Sequence, residues 1–140
     1  LDTNFDPAGQ WAGVTDLLPH LDLLLPNRTE ALSLAGRLGD QPTGPEEAAA
    51  ALAALGPVVV VKNGADGITL DFDGEETFVP SERVEQVVDT TSAGDSFNGA
   101  FLAHYLEHRD APTAAGFAAK VAARVVSEHG ALVPKEKLGL

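Results

Sequence analysis

Asp95 closes the heptapeptide Asp89-Thr90-Thr91-Ser92-Ala93-Gly94-Asp95, and a run with helical spacing begins at once behind it. Small side chains at Ser92, Ala93 and Gly94 let backbone N–H groups point outward at a helix start. Together with the helix dipole, such groups make a site for phosphate or another anion. A bound phosphate repels a carboxylate, so Asp95 needs a reason to be there. Taking the proton from a hydroxyl that is about to attack that phosphate is one such reason. The plainer alternative is a first-turn carboxylate that the helix dipole favours. Asp89 either forms a turn by capping Thr91 or holds a cation and braces the loop.

Two further constellations carry polar groups after apolar runs. Asn27-Arg28-Thr29-Glu30 follows an apolar stretch that stops at Pro26. It reads equally as an N-cap with its capping box or as a pair in which Asn27 meets phosphate and Glu30 meets hydrated Mg²⁺. Lys62-Asn63-Gly64-Ala65-Asp66-Gly67 follows a run of valines and reads first as a tight turn into a hairpin. It is no Walker A loop, and a Gly-x-Gly-x-x-Gly dinucleotide fingerprint is absent from the chain. His104 and His108 stand at i and i+4 without a zinc motif, which points to a solvated helix face. No Gly-x-Ser-x-Gly elbow exists, which argues against a serine hydrolase.

The elements that must position these groups can be read from the apolar pattern. Residues 1–5 form a strand candidate, ended by the turn Asp6-Pro7-Ala8-Gly9, and residues 11–18 a short helix. Residues 21–25 read as a strand buried on both faces, and residues 27–38 as a helix stopped by Gly39. A loop at 41–45 leads to an Ala- and Glu-rich helix over 46–55, stopped by Gly56-Pro57. The valines at 58–61 read as a central strand. Strands at 68–72 and 76–79 flank Asp73-Gly74, a hairpin signal, and 84–88 is another strand candidate. Phe97, Ala100, Phe101, His104 and Tyr105 share one helical face. A last helix starts near Pro112 and runs to 128 or 129, with Gly130 as its C-cap; Ala115, Ala118, Ala119 and Ala122 give it faces that a backbone or flat ligand can approach. Strands alternating with helices predict an α/β protein with a mostly parallel sheet plus the antiparallel hairpin. Ligands in such sheets bind beyond the carboxyl ends of the strands, where Asp6, Asn27, Glu30, residues 62–67 and residues 89–95 are expected to gather.

Composition narrows the class. The chain has 140 residues, enough for one domain or part of one, and 44% hydrophobic residues, enough for a core. Its net charge of −12 argues against nucleic acid and anionic membrane surfaces as partners. No cysteine is present, which suits the cytoplasm, and no apolar run approaches the roughly 18 residues of a membrane span. The first residues do not read as a signal peptide. There is no methionine and the chain opens as if in mid-strand, so it is expected to be the C-terminal part of a longer protein.

Read together and in order, Asn27-x-x-Glu30, Gly64-x-x-Gly67 and the segment 89–95 resemble the ribokinase-like (PfkB) carbohydrate kinases, with 89–95 similar to that family's C-terminal signature. The resemblance covers essentially the whole chain but only the C-terminal half of such an enzyme. It implies a ribokinase-like fold and transfer of the γ-phosphate of ATP to a sugar or sugar acid. Asp95 would be the general base, and the amides of Ser92, Ala93, Gly94 and Asp95 the anion hole. Asn27 and Glu30 would position phosphate and hydrated Mg²⁺. Lys62, Gly64 and Gly67 would line the nucleotide, with Ala119 near adenine. Asp89, Thr91 and Gly130 would belong to a K⁺ loop found in many members. The ending His129-Gly130-Ala131-Leu132-Val133-Pro134 and the run Asp95-Ser96-Phe97-Asn98-Gly99 look similar to 2-keto-3-deoxygluconate kinases. Two positions depart from the pattern: Ser92 stands where many members have Gly or Ala, and Ala8-Gly9 stand where many of these sugar kinases carry Asn with a nearby Arg. The resemblance leaves room for a homodimer of the full-length protein. A non-catalytic nucleotide-binding module and a nucleoside or vitamin kinase of the same fold are the alternatives.

Overall fold

The computed structural model describes residues 1–4, 6–72, 74–130 and 133–138, divided between two compact units. The expectations for Phe5, for Asp73 in the hairpin turn, and for Ala131 and Leu132 lie outside the described residues.

The first unit comprises Leu1–Gly64 and Ile68–Phe78. It contains helices α1 (Val14–Leu17), α2 (Arg28–Arg37) and α3 (Pro45–Ala53) and a sheet of β1 (Leu23–Leu24), β2 (Val58–Lys62), β3 (Ile68–Phe72) and β4 (Glu75–Val79), the last residue of which falls to the second unit. The strands lie in the order β1-β2-β3-β4. β1 and β2 run parallel, with Leu23 opposite Val58, because α2 and α3 carry the chain back across the sheet. β2 and β3 run antiparallel, with Val59 opposite Asp71 and Lys62 opposite Ile68, because only the short turn at Gly64–Asp66 separates them. The sheet is therefore mixed in this part of the fold. Val59, Val60 and Val61 are all fully buried, as four consecutive valines imply. Leu34 and Ala35 of α2 and Ala48 and Leu52 of α3 close over Val59 and Val61. Each fully buried Leu or Val contributes about 1.5–3 kcal/mol relative to exposure.

Two strand expectations are corrected. Residues 1–4 form no strand: Leu1 reaches the sheet, its amino group donating to Leu23 O at 2.7 Å and its carbonyl accepting from Leu25 N–H at 2.9 Å. Asn4 then turns away with φ of 53°. The carboxylate of Asp6 takes the amides of Ala8, Gln10 and Trp11, so the backbone donors here go to a side chain. Residues 84–88 also form no strand. Val88 N–H, and with it Asp89 N–H, donates instead to Val126 O. The helix expected over 11–18 shortens to α1 followed by a 3-10 turn at Leu18–His20, since Trp11 and Gly13 both take positive φ.

The second unit comprises Ala65–Gly67 and Val79–Leu140. Its helices α4 (Ala93–His108) and α5 (Ala111–Val126) pack on each other, and α6 (Lys135–Leu138) follows. Phe97, Phe101 and Tyr105 stack along α4 with centroids 6.2 and 5.6 Å apart. Ala114, Ala115 and Ala118 are fully buried on α5, where small side chains permit the close helix contact. His104 belongs to this apolar face and not to a solvated one: it is half-buried against Phe117, while His108 is exposed. α4 ends at Arg109, held left-handed at φ 56°, and α5 starts at Asp110, whose carboxylate caps Thr113 N–H at 3.0 Å. Pro112 sits in the first turn as expected, but α5 stops at Val126 with Ser127 as C-cap, so Gly130 is not its cap. No described helix is long and apolar enough to cross a membrane.

Candidate active site

In the first unit the motif at Asn27 folds as a complete capping box. Asn27 Oδ1 accepts from Glu30 N–H at 2.9 Å, and Glu30 Oε2 accepts from Asn27 N–H at 2.9 Å. Asn27 Nδ2 donates to Glu30 Oε1 at 2.8 Å, and the Thr3 hydroxyl donates to Oε2 at 2.9 Å. Glu30 is only 5% exposed, so this carboxylate is buried and held by three donors. Its Oε1 takes just one of them and keeps acceptor capacity for a water. That donor set suits contact with a hydrated cation better than direct coordination of a bare one. The contribution of Thr3 was not legible in the sequence, because Thr3 lies 27 residues from Glu30.

Lys62 sits at the end of β2, beside the start of α2: Asn27 and Lys62 form a parallel bridge, and Lys62 N–H donates to Pro26 O at 2.9 Å. Its ammonium lies 3.6 Å from Asp2 Oδ1. The turn that follows needs glycine at both ends, since Gly64 and Gly67 have φ of 63° and 97°. Asn63 Nδ2 donates to Thr69 Oγ1 at 3.1 Å. Asn27, Glu30 and Lys62, expected to gather beyond the carboxyl ends of the strands, are thus neighbours within this unit.

In the second unit the heptapeptide wraps into the start of α4. Ser92 is the N-cap, left-handed at φ 61°, and its side chain makes no capping bond. Ser96 N–H donates to Ser92 O at 2.8 Å and Ala93 N–H to Thr90 O at 3.3 Å. The amides of Gly94 and Asp95 find no acceptor among the described residues and open from the positive end of α4. One of the four expected amides, that of Ala93, is therefore taken up by the loop itself. Asp95 is exposed in this first turn.

Asp89 braces the loop from behind. Its Oδ1 accepts from Thr91 N–H at 2.8 Å and its Oδ2 from Gly130 N–H at 3.2 Å. The Thr91 hydroxyl, then the Thr91 amide and the Gly130 amide, hold its carboxyl below the usual carboxylate range. Asp89, Thr91 and Gly130, expected in one loop, do meet. Gly130 reaches φ 90°, which glycine tolerates and other residues rarely do. Ala119 lies on the inward side of α5 and is 7% exposed, so little of its own surface is left to a ligand.

The profile of the pfkB carbohydrate kinase family matches residues 2–138. The 2-dehydro-3-deoxygluconokinase of Escherichia coli K12 is 40% identical over 83 residues, which is 57% of this chain and 27% of that protein. Among solved structures, a ribokinase from Thermotoga maritima superimposes with a TM-score of 0.82 at 34% identity, over 96% of this chain and 46% of the other. A putative ribokinase II from Escherichia coli, in complex with ATP and Mg²⁺, gives a TM-score of 0.79 at 29% identity, over 93% of this chain and 42% of that one. The chain thus spans less than half the length of these relatives. Its fold is ribokinase-like α/β, and the chain belongs to the pfkB family of carbohydrate kinases.

Proposed function

We propose that this chain is the C-terminal, nucleotide-binding and base-bearing part of a cytoplasmic ATP-dependent kinase for a sugar or sugar acid. The observation that carries the reading is the exposed carboxylate of Asp95 beside the unengaged amides of Gly94 and Asp95 at the uncapped start of α4. Asp95 takes the proton of the acceptor hydroxyl as that oxygen bonds to the γ-phosphorus, and the bond from the γ-phosphorus to the β,γ-bridging oxygen breaks to release ADP. A sugar hydroxyl is a poor nucleophile at neutral pH, and a positioned carboxylate typically gives roughly 10²–10⁴-fold. The amides of Gly94 and Asp95 face the charge that spreads over the transferred phosphoryl oxygens. Glu30 would hold a water of the magnesium shell through Oε1, and Asn27 would serve the phosphate; Mg²⁺ would supply charge neutralisation on the phosphates. Lys62, Gly64 and Gly67 would serve the nucleotide and Ala119 its adenine, while Asp89, Thr91 and Gly130 would belong to a K⁺ loop. The likeness to 2-dehydro-3-deoxygluconokinase favours a sugar acid as acceptor.

A non-catalytic nucleotide-binding module is the second reading. It is favoured by Glu30, whose three donors already give it a structural task. Asp95→Asn in the full-length protein separates the two. A kinase loses about 10²–10⁴-fold in kcat and keeps its affinity for ATP. A binding module has no sugar-dependent ADP release to lose, and an Asp95→Asn protein with undiminished kcat would remove Asp95 from the role of base. Ribose, 2-dehydro-3-deoxygluconate and adenosine as acceptors distinguish sugar, sugar-acid and nucleoside kinases.

A further inference from the structure

Glycine in the middle of a helix costs roughly 1 kcal/mol relative to alanine, so each interior glycine calls for a reason. At Gly116 in α5 a Cβ would lie 4.0 Å from Val79 Cγ1, an ordinary contact that alanine would make as well. Gly36 lies in the last turn of α2, where the penalty is small. Gly99 lacks even that neighbour. It is interior to the 16-residue α4, it is exposed, and a Cβ built on it meets nothing within 4 Å. The described chain does not need this glycine for packing.

Its place on the helix supplies a reason. Gly99 stands at i+4 from Asp95, on the same face and one turn further along. Side chains on a helix lean toward its N-terminus and cover the turn before their own Cα. A side chain at position 99 would therefore lie over the turn that carries the Asp95 carboxylate. Below Gly99 the same face continues as Leu102 and Leu106, 39% and 61% exposed, so the bare patch has a carboxylate at one end and apolar surface at the other.

We propose that Gly99 keeps the approach to Asp95 clear and sets how bulky an acceptor can bring its hydroxyl to that carboxylate. The inference rests on the kinase reading above. Its test is the pair Gly99→Ala and Gly99→Leu in the full-length protein. Both replacements are better helix formers than glycine, so the helix itself is not put at risk. The measurements are the melting temperature, ATP affinity, and kcat and KM with ribose and 2-dehydro-3-deoxygluconate. Expected are an unchanged or higher melting temperature and unchanged ATP affinity. For the acceptor, kcat/KM should fall with side-chain size, by tenfold or more for the leucine substitution, with the larger acceptor losing more. An undiminished kcat/KM in Gly99→Leu would overturn the inference and leave the kinase reading standing. So would an activity loss that tracks a falling melting temperature, since polypeptide would then fill the space. A wild-type protein that phosphorylates no acceptor would overturn the kinase reading and this inference with it.

Discussion

The Asp89 carboxylate ties two stretches 41 residues apart: Gly130 N–H donates to its Oδ2 at 3.2 Å while its Oδ1 holds Thr91 N–H. The loop before α4 is thus fixed from the far end of α5. Two further carboxylates do comparable work: Asp6 on the amides of Trp11, Ala8 and Gln10, and Asp110 on the amide and hydroxyl of Thr113.

Acid should loosen all three of these loops together. Each carboxyl is held below its ordinary value by donors that the unfolded chain lacks. The folded state therefore binds fewer protons than the unfolded state near pH 4, and stability rises with pH there. The contribution is complete above the unfolded pKa of about 3.9 and is lost as pH falls through the lower folded values. Thermal melts between pH 7 and 2.5 should show a loss that begins near pH 4. Asp89→Asn, which turns an amide NH₂ or an oxygen of lower charge toward Gly130, should lower the melting temperature at pH 7 and flatten this dependence. A melting temperature independent of pH over that range would contradict the account.

Removing the Glu30 carboxylate should be costly. Glu30→Ala strands the Asn27 amide and the Thr3 hydroxyl beside a buried site, at a cost of about 1–3 kcal/mol in a denaturant titration. Glu30→Gln keeps an acceptor for part of the set and should fall between wild type and alanine. Equal stability of Glu30→Ala and wild type would show that the capping box carries no weight.

Ser92 should be replaceable with profit. A non-glycine residue held left-handed at φ 61° costs roughly 1 kcal/mol. Ser92→Gly should raise the melting temperature by a few degrees and leave the amides of Gly94 and Asp95 in place. A fall in melting temperature would mean that Ser92 is held by contacts worth more than its strain.

Much of this was legible in the residues themselves. The capping box at Asn27, the valine strand β2, the glycines of the 64–67 turn and the start of α4 all follow from local chemistry, since each is decided within a few residues. What failed were segments whose backbone donors found distant or unexpected partners. Residues 84–88 have strand composition, but the Val88 amide goes to Val126 O. Residues 1–4 were read by their apolar ends, while Asp6 had already claimed the next amides. For His104 the helical face shared with Phe97 and Phe101 proves the better guide, and the pairing with His108 at i+4 the poorer one. Thr3 on Glu30 and Gly130 on Asp89 are long-range contacts for which no spacing rule exists.

The open amides at the head of α4 sit in a chain whose net charge is −12. On the kinase reading proposed above, an anionic nucleotide that approaches from solution meets repulsion at long range from this chain and attraction only in the last few ångströms. Salt acts on the first and hardly on the second, since screening sets in beyond about 8 Å at physiological ionic strength. Nucleotide capture should therefore quicken as salt is added, while escape changes little. This is the reverse of the behaviour of proteins that draw their anionic ligands in with a basic surface.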